Sequence, residues 1–158
     1  MKPRTYQTEA TDAAWKFICK LAGAALLVLP TGAGKSLIIG MICRLAVKTG
    51  GRVLVIAHRK ELLEQNAEKI EHMVGSPVGI YCAGLKRKDT DNQIIVASIQ
   101  SLFRNPEVVG KRDLIIVDEA HLISPEAGSS VRSATKSSRK LSSKKVTCRR
   151  SRPSRQRR

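Results

Sequence analysis

The chain has 158 residues, 42% hydrophobic and 27% charged, the balance of one globular domain with its own core and too little chain for two. The net charge of +16 is unevenly placed: twelve of the 29 Lys and Arg fall in residues 127–158, which hold no acid, so residues 1–126 carry only +4. No apolar run reaches a membrane helix, the N-terminus lacks a signal-peptide shape, and the four cysteines form no C-x-x-C pair, so membrane-spanning, secreted and zinc-stapled classes are excluded and a cytoplasmic location is expected.

In chain order, Ala10, Ala13, Ala14, Phe17, Ile18 and Leu21 recur at the spacing of an amphipathic helix. Ala24 to Leu29 is a continuous apolar run ending at Pro30, which predicts a buried strand. Residues 35–48 predict a helix closed by Gly50-Gly51, and residues 52–57 a second strand. Residues 60–73 predict a charged amphipathic helix with Leu62, Leu63, Ala67 and Ile70 inward, stopped at Gly75. Short strands are expected at 78–82 and 94–97 around a polar loop (85–93), and a last apolar strand at 114–117. Strands apolar on both faces and separated by helices mean an α/β fold, a parallel sheet with helices on both faces.

Residues 127–158 break this pattern. They hold nine serines, twelve basic residues and no aromatic, and are expected to form a disordered basic tail after a domain spanning 1–126.

Two clusters carry chemistry. Thr31-Gly32-Ala33-Gly34-Lys35-Ser36 lies between an apolar run and a helix. There a glycine-rich turn can wrap phosphate with backbone N–H groups, Lys35 can reach the β- and γ-phosphates, and the Ser36 hydroxyl can hold Mg²⁺. The generic phosphate-loop pattern has glycine where this chain has Leu29. The second cluster is Asp118-Glu119 at the end of the last apolar run. A carboxylate at the carboxyl end of a parallel strand lies where such sheets bind nucleotides, so Asp118 is the candidate for the metal and Glu119 for orienting the attacking water.

Taken together, Thr31 to Ser36 and Asp118-Glu119-Ala120-His121 resemble motifs I and II of superfamily 2 helicases with a DEAH-type box, a family in which the first glycine of the loop is often absent. Arg4-Thr5-Tyr6-Gln7 resembles that family's adenine-recognition element, which implies adenine contacts from Arg4 and Gln7. Ala57-His58-Arg59-Lys60-Glu61-Leu62 resembles motif Ia, and Ala97 to Leu102 the next nucleic-acid-contacting element, which implies contacts from His58, Arg59, Ser98 and Gln100. The run Ala83 to Lys88 is similar to bacterial helicases of the RadD type. The resemblance implies ATP and Mg²⁺ as cofactors, Lys35, Asp118 and Glu119 as catalytic residues, DNA rather than RNA as partner, and no membrane.

The family's motif III and its second RecA-like lobe, with an arginine finger, have no counterpart in this sequence. An ATP-binding lobe of a DNA helicase, inactive as an isolated piece, is therefore the leading expectation. A non-catalytic basic nucleic-acid-binding fragment and the motor lobe of a restriction enzyme stay open. Three readings of residues 127–158 also stay open: a frameshifted C-terminus, a nucleic-acid-binding arm and a solubilising tail.

Overall fold

The computed structural model describes residues 3–20, 25–30 and 32–120. The expectations for Leu21, Ala24, Thr31, His121 and the tail at 127–158 lie outside the described residues.

Among the described residues, four α-helices and five strands follow one another as α1 (Thr5–Lys20), α2 (Lys35–Lys48), β1 (Val53–Ala57), α3 (Lys60–Val74), β2 (Val78–Cys82), β3 (Arg87–Lys88), β4 (Ile94–Ser98), α4 (Ile99–Arg104) and β5 (Leu114–Val117). They form one five-stranded sheet of order β3-β2-β4-β1-β5. The β2–β4, β4–β1 and β1–β5 pairs are parallel, whereas β3 adds to β2 antiparallel. The fold is therefore α/β with a mostly parallel sheet. The exception arises inside the loop expected at 85–93, where the chain turns back within a few residues, as only an antiparallel neighbour permits.

The central strands are buried at every position, as two-sided apolar runs require. On one face Val53, Val55, Ala57, Ile80, Ile94 and Val96 pack with Ile39, Cys43 and Ala46 of α2 and with Leu63, Ala67 and Ile70 of α3. On the other face Leu54, Ile56, Tyr81, Ile95 and Ala97 pack with Ile99 and Leu102 of α4 and with Val109. Helices thus cover both faces, the second by a short helix that the sequence pattern did not reveal. Burial pushes the Cys43 thiol up to about 12, so it is an inert core group. Among the described residues no helix is long and apolar enough to cross a membrane.

Two expectations need correction. The segment before the phosphate loop is not a strand: residues 25–30 make no ladder, and Leu26 and Val28 are 79% and 82% exposed. An apolar run acquires strand structure only with a hydrogen-bonding neighbour, and among the described residues β5 pairs with β1 alone. Only Leu29 turns inward, packing against the cluster of Ala14 from α1 and Ile38 and Ile42 from α2. The second correction concerns α1. Its buried line runs through Gln7, Thr11 and Ala14, and Ala13 is exposed, because the contact with α2 follows the polar residues at the helix start. The Thr11 hydroxyl is satisfied by donating to the Gln7 carbonyl at 2.7 Å, which lets it face the interior.

Arg112 ties the far end of the sheet. It is 2% exposed, and its guanidinium donates to the carbonyls of Val109, Asn92, Gln93 and Thr90 at 2.8 to 3.2 Å. Burial, with Arg52 nearby, lowers it to about 10, so it is still charged at neutral pH. Arg112→Met should cost about 3 kcal/mol by leaving buried carbonyls without their donor, and Arg112→Lys most of that because ammonium lacks the fork. Urea denaturation of the two variants checks this.

Candidate functional site

Gly34 caps α2 in the left-handed region at φ 75°, and Gly32 is left-handed as well at φ 78°. No side chain caps α2, so its first N–H groups stay available at the positive end of the helix dipole. This is the arrangement that backbone phosphate binding uses. Lys35 and Ser36 open the helix, both half-buried.

The start of α1 latches onto this loop. The Tyr6 hydroxyl and Gln7 Nε2 both donate to the Ala33 carbonyl at 2.9 Å. Gln7 Oε1 in turn accepts from the Arg4 backbone N–H at 2.9 Å, one half of a capping box. Gln7 is 5% exposed, so both ends of its amide are engaged by the protein, whereas the Arg4 side chain is exposed. The sequence singled out Gln7. It placed Tyr6 in the same element without a contact of its own, and the partner lies 27 residues away.

The acids come from β5. Because Ile56 of β1 pairs with Val117, Asp118 emerges level with the end of β1, and its N–H donates to the Ile56 carbonyl at 2.8 Å. Glu119 follows in the left-handed region at φ 54°, which costs a non-glycine residue about 1–2 kcal/mol. That turn carries its carboxylate to 3.6 Å from the Lys35 ammonium. The structure therefore joins Lys35 and Glu119, 84 positions apart in sequence, across the carboxyl ends of the strands. Asp118 accepts a hydrogen bond from Asn66 Nδ2 at 3.3 Å, a partner that sequence motifs did not identify. Its one signal was a polar residue on the buried face of α3, among Leu63, Ala67 and Ile70.

The residues matched to nucleic-acid contacts divide. His58 and Arg59 follow β1 directly and are exposed, and Gln100 is exposed on α4. The pairing of Ala57 with Ser98 puts these residues at the same strand ends as Asp118. Ser98 is 3% exposed and is the N-cap of α4: its Oγ accepts from the Ser101 N–H and lies 2.7 Å from the Ser101 hydroxyl, whose oxygen accepts from the Ala83 N–H. It braces the strand ends from below.

The donors near the loop suit a hard cation. The Ser36 hydroxyl and the Asp118 carboxylate could offer oxygen ligands, and Mg²⁺ is typically held by one or two protein oxygens together with nucleotide phosphates. Among the described residues no group of three or more His, Cys, Asp or Glu forms a self-contained metal cage.

The glycine geometry makes a graded prediction. Alanine at either position meets left-handed strain of about 1–2 kcal/mol. A Cβ at Gly34 would also lie 2.6 Å from Gln7 Nε2, whereas one at Gly32 has nothing within 4 Å. Gly34→Ala should lower the urea midpoint more than Gly32→Ala, and adding Gln7→Ala should close most of the gap.

Comparison with known proteins bears on the family and the fold. The family model described as Type III restriction enzyme, res subunit, matches residues 1–145. A curated relative, a 51.5 kDa protein of a Lactococcus phage (isolate 7-9), is 36% identical over 94 residues, which is 58% of this chain and 17% of that protein. Among solved structures, the UvsW helicase of bacteriophage T4 is similar with a TM-score of 0.69 at 23% identity, over 87% of this chain and 50% of that one. The Type ISP restriction-modification enzyme LlaGI, solved as a nuclease-deletion mutant in complex with a DNA substrate mimic, is similar with a TM-score of 0.60 at 18% identity, over 77% of this chain and 15% of that one. The chain spans half or less of the length of each. These likenesses show a shared RecA-like α/β fold.

Proposed function

This chain belongs to the family of the Type III restriction enzyme res subunit, and on that premise we propose that it is the ATP-binding lobe of a DNA-translocating motor. The carrying observation is the Lys35–Glu119 contact at 3.6 Å, which puts a phosphate-loop lysine beside the strand-end acids. In this reading Gly32, Ala33 and Gly34 with the first N–H groups of α2 cradle the phosphates, along with Thr31. Lys35 leaves Glu119 for the β- and γ-phosphates, trading one anionic partner for another at little electrostatic cost. Glu119 then orients the attacking water. Ser36 and Asp118 hold Mg²⁺, which when bound neutralises phosphate charge and polarises the γ-phosphoryl group. Arg4 and Gln7 meet the adenine, with the Gln7 amide exchanging its bond to the Ala33 carbonyl for the base.

Nucleic acid lies along His58, Arg59 and Gln100 at the strand ends. DNA is favoured over RNA by the likeness to LlaGI, which was solved with a DNA substrate mimic. A restriction-enzyme motor lobe is the second reading, favoured by the family match and by the same likeness. A helicase lobe and a restriction motor lobe share this site chemistry and differ in what the motor is attached to.

Titration with a fluorescent ATP analogue tests the assignment. Lys35→Ala should abolish binding while leaving the circular dichroism spectrum and Tm unchanged, and unchanged affinity would overturn it. Steady-state turnover by these 158 residues should be slow and unresponsive to DNA. The sequence shows no motif for the facing arginine, which in comparable hydrolases is worth about 10³ to 10⁵ in rate. Glu119→Gln serves as the contamination control.

Nucleic-acid binding makes a separate prediction. Affinity for single-stranded oligonucleotides of random sequence should fall steeply with salt through counterion release. Removing two contacts in a His58→Ala, Arg59→Ala double variant should flatten that slope, as read by fluorescence anisotropy.

A further inference from the structure

Asn66 is the one buried amide on the inward face of α3 among the described residues, 2% exposed in a row that otherwise presents Leu63, Ala67 and Ile70 to the sheet. Packing does not explain it, since a leucine would fill the same space without an amide to desolvate. Its Nδ2 instead donates to Asp118 Oδ2 at 3.3 Å, across 52 residues of sequence. Asp118 sits at a turn just past the end of β5, where its backbone is held by the bond from its N–H to the Ile56 carbonyl, and the Asn66 bond is what restrains its side chain from the α3 side. Glu119, the next residue, is drawn the other way, towards Lys35. The two neighbouring carboxylates thus receive different partners, a neutral amide for Asp118 and an ammonium for Glu119.

We propose that Asn66 is a positioning residue for the metal: by donating to Asp118 Oδ2 it fixes the rotamer in which this carboxylate receives Mg²⁺. The proposal rests on the reading of Asp118 as a metal-holding residue. A neutral donor suits the role, because it orients the carboxylate and leaves its negative charge for the cation. A lysine or arginine at this position would compete with Mg²⁺ for that charge. Partners of this kind, one step removed from the metal, typically contribute about 10- to 100-fold in metal affinity. Asn66 also lies on the helix that begins directly after His58 and Arg59, so the element next to the proposed nucleic-acid contacts is the one that holds the metal ligand.

The test uses the full chain and a fluorescent ATP analogue, titrated with Mg²⁺ and, separately, in excess EDTA. Asn66→Leu keeps the volume and removes the donor. It should raise the Mg²⁺ concentration needed for tight analogue binding by about tenfold or more. Its metal-free affinity should match wild type, and its Tm should be equal or higher. Asn66→Gln, an amide on a longer arm, should recover part of the Mg²⁺ dependence. If Asn66→Leu does not fold, Asn66→Ala carries the same comparison.

Wild-type Mg²⁺ dependence in the donor-less variant would overturn the proposal. So would a parallel loss of Tm and of metal-free affinity, which would mark a purely structural residue. Asp118→Ala separates the two levels. If it loses Mg²⁺ dependence while Asn66→Leu keeps it, only the positioning role falls. If Asp118→Ala also keeps it, the metal assignment of Asp118 falls as well, and this role with it.

Discussion

β1 hydrogen-bonds in parallel to β4 on one side and to β5 on the other, and its register sets where the candidate side chains at the strand ends emerge. Ala57 is level with Ser98, and Ile56 with Val117, so three loops leave the sheet at one height. From them come His58 and Arg59, the α4 cap with Gln100, and Asp118 with Glu119. Slipping either pairing by one residue would invert the side chains of a strand buried on both faces. The register is therefore held by the core, and the site is held by the register.

The resulting crevice is organised by charge. Lys35 and Glu119 are each partly exposed, with side chains 37% and 30% accessible, so their contact is weak in water. That weakness suits the exchange for phosphate that the proposed function requires. A fully buried pair at this position would oppose the arrival of phosphate, whereas a solvated one yields to it. The left-handed Glu119 backbone is what aims the carboxylate at the loop, and it persists because the Asp118 N–H is anchored to β1 immediately before it.

The loop is also braced from the side by α1. Tyr6 and Gln7 share the Ala33 carbonyl, and Gly34 lacks the Cβ that would displace the Gln7 amide. The same amide that restrains the loop would, in the proposed function, read the base, so release of the loop and recognition of the nucleotide become one event. The bracing on the opposite side, from Asn66 to Asp118, arises from α3. Two helices that never enter the sheet thus position the two halves of the site.

Much of this was legible in the sequence, because local patterns have local causes. The bounds of α2, β2 and β5 follow from apolar runs and their breakers, and the phosphate loop and the strand-end acids stand out by residue type and order. The irregular state of residues 25–30 was not legible, since an apolar run specifies a strand's composition and not its neighbour. Nor was the burial of Ser98, which depends on β4 ending where α4 begins. By itself the sequence determined the α/β class and the helix and strand periodicities, and it singled out Lys35, Asp118 and Glu119 as candidates. Only the tertiary structure decided that Lys35 meets Glu119, that Tyr6 and Gln7 seize Ala33, and that Asn66 reaches Asp118. Those contacts span 26 to 84 residues: the ones to Asp118 and Glu119 need the parallel register that sets the end of β5 beside that of β1, and the ones to Ala33 need α1 packed on α2.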